Sequence, residues 1–362
     1  WQGILENRDF SSGELAYTSS ALYPGQHIFG NSYTAAIDIT QITFGSNMEA
    51  TVYLYNTGSY NNWETNGGGT SYSSSNTAAG TYAAIPKNQA GQGGVEGQIP
   101  SMQGFLVKAM SNATGNTITI PYSSVAVKNT TLQRAKSVNE SSGSKEYLRI
   151  DLRADSVVLD RMWIFNEENC TRAFDNGWDG PKMLPGGGVP AIYSVEQDEN
   201  YQVNSLKDMN ETQIGLQKGK GTNYTLMFYP ENLKSRYSNV YLLDEKENKV
   251  IDISNDSTIY NFTATGDGKL EKRFKIITQY ESKGNTGNEP MLKVFSSKGN
   301  IFIDNRSKEK GEVSVFDISG RKIKDQMFYG ETITMLNNLP SGVFVVKAVI
   351  STDKVTERVL VQ

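Results

Sequence analysis

A short segment near the middle of the chain carries residue types that can bind a calcium ion. Residues 174–180 read Phe-Asp-Asn-Gly-Trp-Asp-Gly, which places Asp175, Asn176 and Asp179 close together along the chain. Their side-chain oxygens are hard ligands of the kind that Ca²⁺ prefers, although the spacing differs from that of an EF-hand loop. The same residues are typical of an Asx-rich turn between two strands, with Trp178 packed over the sheet edge. The segment therefore predicts either a calcium site or a structural turn, and no other cofactor is expected.

Aromatic residues cluster in a stretch near the start of the chain that is rich in asparagine and glycine. Four of them, Tyr55, Tyr60, Trp63 and Tyr72, form the predicted ligand-binding site. Rings with a polar atom offer a large contact area for the apolar faces of sugars, and the neighbouring amides can bond to sugar hydroxyls. The alternative is that Tyr55 is an ordinary strand residue on the same face as Tyr53. The stretch predicts a binding loop for a glycan or a peptide.

Few side chains in the sequence are suited to catalysis. His27 is the single histidine and Cys170 the single cysteine, which excludes internal disulfides and zinc sites with several His or Cys ligands. The sequence contains no Gly-x-Ser-x-Gly nucleophile elbow, and His27 follows a Pro-Gly-Gln turn. Cys170 is expected to be a buried small residue rather than a nucleophile. The sequence therefore favours a non-enzymatic protein.

Two weaker patterns leave an alternative open. Residues 215–222 contain glycines and lysines, but they lack the spacing of a phosphate-binding loop, so a hairpin turn is expected there. Pairs of carboxylates such as Glu167 with Asp175, or Glu196 with Asp198, are the groups that glycoside hydrolysis requires. No motif surrounds either pair. An accessory or catalytic module for polysaccharide degradation is therefore the alternative function.

The composition is typical of a strand-rich exported protein. The chain has 362 residues, of which 20% are charged, 34 are glycine and 19 are tyrosine. The net charge of −4 lacks the basic excess that nucleic-acid binding requires. No apolar run is long enough to predict a membrane-spanning helix. Because the chain begins at Trp1 without an apolar leader, we expect any export signal to have been removed.

Short apolar runs closed by turn residues predict β-strands along the whole chain. Residues 148–153 alternate apolar and polar side chains, and residues 240–244 and 250–253 flank a polar turn. A short helix is considered only at 37–42. The predicted fold is all-β, with β-sandwich domains of jelly-roll or immunoglobulin-like kind and a small C-terminal immunoglobulin-like β-sandwich.

Polar, glycine-containing breaks near 128–145 and 281–290 predict the domain boundaries. They divide the chain into β-sandwich regions at 1–135, 145–280 and 290–362. The pattern leaves open whether the first two regions form one core or two.

The final residues carry three short motifs in a fixed order. They read VFDISGRKI from Val315, LPSGVFVVKA from Leu339 and ERVLVQ from Glu357. This segment resembles the type A C-terminal sorting domain of proteins exported by the type IX secretion system of Bacteroidetes. The resemblance implies that the secretion machinery recognises residues 290–362. It also implies an extracellular location or one on the outer-membrane surface of a Gram-negative bacterium.

A second resemblance covers most of the remaining chain. The segments GQHIFGNSYTAAIDI, TVYLYNTGSYNNW and IPSMQGFLVKA, followed by LRIDLRADSVVLDRMWIF, resemble the β-rich region that precedes the sorting domain in exported Bacteroidetes proteins. That likeness concerns location and shape and implies no shared reaction. The favoured function is non-enzymatic adhesion or binding of a glycan or extracellular protein. A structural spacer of a larger surface protein remains open beside the polysaccharide-degradation alternative.

Overall fold

The computed structural model describes thirteen segments of the chain: residues 7–56, 81–125, 145–154, 157–185, 189–197, 199–219, 221–247, 249–264, 270–280, 291–297, 300–307, 309–330 and 332–361. Almost all regular structure in them is β-strand, and the predicted all-β fold is confirmed. The helices in these segments are three-residue 3₁₀ turns, and none has the length and apolar character needed to cross a membrane.

The first nine strands lie in the N-terminal part of the chain. They are β1 (Phe10–Ser11), β2 (Gln26–Gly30), β3 (Ile37–Asp38), β4 (Thr43–Phe44), β5 (Met48–Asn56), β6 (Thr81–Pro86), β7 (Gln98–Ile99), β8 (Gly104–Ala109) and β9 (Ile118–Ile120). They form a three-stranded sheet in the order β1-β9-β4, a four-stranded sheet in the order β2-β8-β5-β6 and a β3-β7 pair.

The middle of the chain supplies eleven further strands. They are β10 (Tyr147–Ala154), β11 (Val157–Asn166), β12 (Gly180–Pro181), β13 (Ala191–Glu196), β14 (Glu199–Leu206), β15 (Gln213–Gln217), β16 (Asn223–Glu231), β17 (Tyr237–Asp244), β18 (Lys249–Asp252), β19 (Thr258–Thr263) and β20 (Leu270–Tyr280).

The C-terminal part contains the last seven strands. They are β21 (Leu292–Ser297), β22 (Asn300–Asn305), β23 (Gly311–Asp317), β24 (Lys322–Phe328), β25 (Thr332–Leu336), β26 (Gly342–Ile350) and β27 (Lys354–Val361).

The 3₁₀ turns are confined to connections between strands. They span Ile39–Gln41, Lys87–Gln89, Tyr122–Ser124 and Leu233–Ser235. The helix considered at 37–42 is therefore limited to one turn that follows β3. The Asp38 side chain accepts the Thr40 backbone N–H at 2.9 Å and caps this turn. The β-branched residues around it favour extended structure, so the turn does not continue.

The chain divides into two compact units. The first unit comprises residues 1–233 and 255–272, and the second comprises 234–254 and 273–362. The predicted breaks at 128–145 and 281–290 lie almost entirely outside the described residues. The predicted regions 1–135, 145–280 and 290–362 stay a prediction.

The first unit is built on one large mixed sheet. Its strands run in the order β15-β13-β14-β11-β10-β16-β19, with β12 paired to β14. Most neighbours are antiparallel, whereas β11 and β14 are parallel. Trp163, Phe165 and Val203 of this sheet belong to the same hydrophobic cluster as the residues of the N-terminal sheets, including Val52 and Phe105. The N-terminal strands therefore share a core with the large sheet.

The second unit contains a β-sandwich. One sheet has the order β21-β22-β25 and the other β24-β23-β26-β27. Alternate residues of β23 and β26, such as Val313, Val315, Val346 and Ala348, are buried between the sheets. This alternation is the pattern expected of strands with one covered face. The same unit includes β17, β18 and most of β20. Strands β18 and β20 each pair antiparallel with β17, which lies between them.

Candidate functional site

The predicted calcium-binding segment forms a tight, internally bonded turn. The buried carboxylate of Asp179 accepts the backbone N–H of Asp175 at 2.7 Å through Oδ2. Its other oxygen, Oδ1, accepts the backbone N–H of Ser205 on β14 at 2.8 Å. The carboxylate of Asp175 in turn accepts the backbone N–H of Thr171 at 2.6 Å. These carboxylates therefore satisfy backbone donors that a tight turn leaves unpaired.

Asn176 fastens the same turn to strand β5. Its Nδ2 donates to the carbonyl oxygen of Met48 at 2.9 Å, and its Oδ1 accepts the N–H of Ala50 at 2.7 Å. The carbonyl oxygen of Gly177 also accepts the N–H of Asn88, at 2.8 Å. The turn is thereby locked between the N-terminal sheet and the large sheet of the first unit.

Burial raises the pKa of two side chains in and beside this turn. Asp179 is 1% exposed, and desolvation raises its pKa to about 7, although the two backbone N–H groups that it accepts oppose the shift. Burial likewise raises the pKa of Cys170 to about 12, with the Asp175 and Asp179 carboxylates adding to the shift. A thiol with so high a pKa is protonated at neutral pH, which fits the expectation that Cys170 is no nucleophile.

The structure brings the three predicted metal ligands together in one turn. Asp175, Asn176 and Asp179 each use a side-chain oxygen to accept a backbone N–H, so an ion would have to compete with those donors. Within the described ranges, no group of three or more His, Cys, Asp or Glu side chains is placed to hold a metal. These bonds favour the structural turn over the calcium site, and both stay predictions.

Two of the four carboxylates considered for glycoside hydrolysis, Glu167 and Glu196, are engaged in ion pairs. Glu167 pairs with Lys145 and accepts a hydrogen bond from Gln89 at 3.0 Å. Glu196 pairs with Arg172 at 2.7 Å, while Asp198 lies outside the described residues. These cations hold Glu167 and Glu196 in structural contacts.

Two other patterns from the sequence have structural roles. The Nε2 atom of His27 is hydrogen-bonded to the carbonyl oxygen of Ala16 at 2.8 Å, which ties β2 to the preceding segment. Gly215, at the start of the lysine- and glycine-containing segment, lies in β15 opposite Tyr193. A Cβ atom at Gly215 would lie 2.2 Å from the Tyr193 ring, so the glycine makes room for that ring.

The aromatic prediction falls partly on described residues. Tyr55 lies near the end of β5 and is 40% exposed, whereas Tyr60, Trp63 and Tyr72 lie outside the described residues. Tyr55 packs against Tyr82 of the neighbouring strand β6, with ring centroids 5.0 Å apart. This pair forms an aromatic end to the four-stranded N-terminal sheet.

Tyr53 lies on the same face of β5 as Tyr55, but its environment is different. Its ring is 1% exposed and packs with Ala84 and Leu106. The Tyr53 hydroxyl is hydrogen-bonded to the buried Glu49, whose pKa is raised by burial. The alternative that these tyrosines are ordinary sheet residues therefore fits the buried Tyr53, whereas Tyr55 is 40% exposed.

Exposed apolar residues on the β2 side of the same sheet were not predicted as binding residues. Leu22 is 83% exposed, Tyr23 65% and Ile28 73%. Burial, followed by Tyr55 and Tyr23, raises the pKa of Tyr82. The apolar residues that flank the Pro24–Gly25 turn are the sequence signal that could have identified this surface. We call the packed pair of Tyr55 and Tyr82 the aromatic surface.

The second unit is held together by buried polar pairs. The Tyr241 hydroxyl of β17 donates to Asp304 Oδ2 of β22 at 2.9 Å, and both residues are buried. Arg273 of β20 pairs with Asp244 of β17 at 2.6 Å, with both side chains fully buried. These contacts join β17 and β20 to one another and to the strands of the C-terminal sandwich.

Two solved structures resemble the chain distantly. A biofilm-associated protein (BSP domain) matches 98% of this chain and 67% of its own at 10% identity, with a TM-score of 0.20. The dimeric latent PorU of Porphyromonas gingivalis matches 93% of this chain and 34% of its own at 10% identity, with a TM-score of 0.17.

A sequence relative is much closer. The minor fimbrium subunit Mfa5 of Porphyromonas gingivalis is 33% identical over 317 residues, which cover 85% of this chain and 25% of the relative. The chain thus spans a quarter of the length of the curated relative that it matches.

Two family models match the chain. Residues 297–362 match the secretion system C-terminal sorting domain, which confirms the resemblance of the tail to Bacteroidetes sorting domains. The protein is therefore extracellular or located at the cell surface. Residues 15–278 match the domain of unknown function DUF8693. This match spans most of the chain, which therefore belongs to the DUF8693 family and ends in a secretion system C-terminal sorting domain.

Proposed function

We propose that this secreted surface protein is a non-enzymatic adhesin that binds a glycan or an extracellular protein through the aromatic surface. The observation that carries the proposal is the packing of Tyr55 on Tyr82 at a sheet end, with ring centroids 5.0 Å apart. Tyrosine combines a large apolar area with a hydroxyl and has few rotatable bonds, so it loses little entropy on binding.

The exposure of other large apolar residues in the N-terminal part of the chain supports a binding role. Leu22 and Ile28, just before and within β2, are 83% and 73% exposed, which leaves their apolar side chains in water. Exposed apolar patches commonly mark interaction sites. The relationship to a minor fimbrium subunit is also consistent with a protein that acts in adhesion at the cell surface.

A binding screen with matched variants tests the proposal. The purified chain is screened against a glycan array and against a panel of matrix proteins, and any hit is quantified by surface plasmon resonance. We expect Tyr55→Ala and Tyr82→Ala to weaken binding by about tenfold or more, since each removes a ring that contacts the ligand. Tyr122→Ala is the matched control, because Tyr122 is 45% exposed and packs on another tyrosine, Tyr33.

The outcomes separate binding from the other candidate functions. Unchanged affinity in Tyr55→Ala and Tyr82→Ala, both folded, would exclude the aromatic surface as the binding site. Absence of binding across both panels would favour a structural spacer. Release of reducing sugar from polysaccharides by the purified chain would favour the alternative of polysaccharide degradation.

A further inference from the structure

The sheet β24-β23-β26-β27 of the C-terminal sandwich has apolar residues on both of its faces. On the inner face Val315, Phe344 and Val359 belong to the core. On the outer face Phe316 lies opposite Val345 across β23 and β26, and neither residue is part of that core. A sheet with one face in water normally presents polar residues on that face. The outer apolar residues therefore require another explanation.

These outer residues are contiguous. Val343 of β26 lies opposite Leu360 of β27, which adjoins the Phe316 and Val345 pair along the strands. Leu360 is 50% exposed, and Ile318, in the turn after β23, is 81% exposed. We call Phe316, Ile318, Val343, Val345 and Leu360 the outer apolar patch. It occupies the end of the sheet where β23 finishes.

Positive charges flank this patch on both sides. Lys322 of β24 lies opposite Phe316, and Arg358 of β27 lies opposite Val345, so the pair of apolar residues has a cation at each end of its row. Lys322 and Arg358 are both exposed. A second copy of the same surface would bring like charges together, which is unfavourable. The complementary partner is an apolar surface edged by carboxylates.

The remaining rows of the outer face are different in character. One row contains Asp325, Ser314, Lys347 and Thr356, and the row beyond it contains Met327, Glu312, Val349 and Lys354. Both rows carry charges of opposite sign; the first has no apolar side chain, and the second has two, Met327 and Val349, alongside charged residues. Such a mixture is usual for a solvated surface. The apolar character is therefore concentrated at one end of the face.

We propose that the outer apolar patch, with Lys322 and Arg358, is the surface by which a protein component of the secretion machinery recognises this tail. The proposal rests on the assignment of residues 297–362 as a sorting domain, which implies that such a partner exists. The partner presents an apolar surface edged by Asp or Glu side chains. Its apolar part covers Val343, Val345 and Leu360, and its carboxylates pair with the two flanking cations.

Export of full-length chain variants tests this recognition surface. The chain is expressed behind a cleavable export signal in a Bacteroidetes host with a type IX secretion system, and the amounts in the periplasm and outside the cell are measured. The first variant is the triple Val343→Thr, Val345→Thr and Leu360→Thr, which retains strand-favouring side chains at the two β-branched positions. The second is the double Lys322→Glu and Arg358→Glu. We expect each to lower export by about tenfold or more.

A matched control uses the other end of the same face. Met327→Thr with Val349→Thr, and Lys347→Glu with Lys354→Glu, make the same kinds of change on the solvated rows. We expect these controls to be exported at the wild-type level. The melting temperature of each purified variant is compared with that of the wild type, so that only folded variants are interpreted.

The possible results distinguish recognition from folding and from ligand binding. Wild-type export of the folded patch variants, or an equal loss in the control variants, would overturn the proposal. Equal release of the wild-type chain from a host without the secretion system would overturn the sorting assignment on which it rests. Patch-dependent dimers with undiminished export would identify a second copy of the chain as the occupant instead. None of these readouts depends on Tyr55 or Tyr82, so failure of the adhesion proposal is recognised separately.

Discussion

Asp179 and Ser205 are joined by a hydrogen bond in which the buried carboxylate accepts the backbone N–H of strand β14 at 2.8 Å. The other carboxylate oxygen accepts the N–H of Asp175 at 2.7 Å. One side chain thus connects the turn 175–179 to the large sheet. Because the group is almost completely buried, its ionisation is coupled to the stability of the first unit.

We expect the stability contribution of Asp179 to decrease as the pH rises. Its pKa is raised from 3.8 to about 7 by burial, so between these values the folded state holds a proton that the unfolded state has released. The free energy of unfolding therefore falls as the pH rises from about 4 to about 7 and levels off above that range. In Asp179→Asn the free energy of unfolding should depend less on pH, which denaturant unfolding curves recorded at pH 5 and pH 8 measure.

The Asp179→Asn variant also loses a hydrogen bond, because its amide nitrogen faces a backbone N–H group. We expect a cost of about 1–3 kcal/mol at pH 5. Thr51→Val is the matched control, since the Thr51 hydroxyl donates to the Asp179 carbonyl oxygen at 3.2 Å but does not titrate. If the free energy of unfolding still falls with pH in Asp179→Asn, or no longer falls with pH in Thr51→Val, another group controls the pH dependence.

Calcium addition tests the metal hypothesis for the turn 175–179. The oxygens of Asp175, Asn176 and Asp179 already accept backbone N–H groups, and an ion would have to displace these donors. We therefore expect the melting temperature to be the same in calcium and in excess chelator. A calcium-dependent increase that is abolished by Asp175→Ala would instead establish a metal site.

The periodicity of the sequence was sufficient to predict the strands but not their tertiary partners. The hairpin expected from 240–244 and 250–253 is present as β17 and β18, with Leu243 opposite Val250. The alternation of apolar and polar residues contains this information, because one face of each strand is buried. Nothing in that alternation indicates that Tyr241 of the hairpin contacts Asp304 of the tail, since the contact joins residues that are distant in sequence.

For the candidate sites, too, the sequence predicts the residue types but not the contacts that surround them. The Asx segment was identified from its residue types, but its anchoring to Ala50 and Ser205 depends on the folded arrangement of three strands. The sequence places Tyr53 and Tyr55 on one strand face, yet only Tyr55 is substantially exposed. Residue type indicates which chemistry is available, whereas burial and bonding depend on the packing around the residue.

Breaking the ion pair between Arg273 and Asp244 should strongly destabilise the second unit. Arg273→Met leaves the Asp244 carboxylate buried without its cation, and removal of one partner from such a pair costs about 3–5 kcal/mol. The double variant Arg273→Met and Asp244→Asn should cost less than the sum of the two single variants, because no uncompensated charge remains. Denaturant unfolding followed by circular dichroism measures these differences.

An exposed arginine pair in the same unit provides the control. Arg321 lies 3.1 Å from Asp317, with 77% of the Arg321 side chain exposed. Arg321→Met should therefore change stability by less than about 1 kcal/mol. Comparable losses in Arg273→Met and Arg321→Met would indicate that burial does not determine the strength of the Arg273 pair.

Tyr241→Phe should weaken the second unit by removing a single hydroxyl. That hydroxyl donates to Asp304 at 2.9 Å, and burial together with the nearby carboxylate raises the pKa of Tyr241. Without it, the buried Asp304 retains Arg306 at 3.2 Å but loses a hydrogen bond, at a cost of about 1–3 kcal/mol. The ring remains in its cluster with Phe302, so the variant isolates the polar contact from the packing.

The free energy of unfolding of the full chain measures this loss, and Tyr122→Phe is its control because Tyr122 is 45% exposed. Equal stability of Tyr241→Phe and the wild type would show that the hydroxyl and the carboxylate interact no better with each other than with water. The expected loss of stability would instead establish that the contact with Asp304 of the sorting domain stabilises strand β17, which precedes that domain in sequence. A chain shortened at residue 280 would then lose this stabilisation and expose Tyr241, Leu243 and Ile277, which otherwise pack on Phe302.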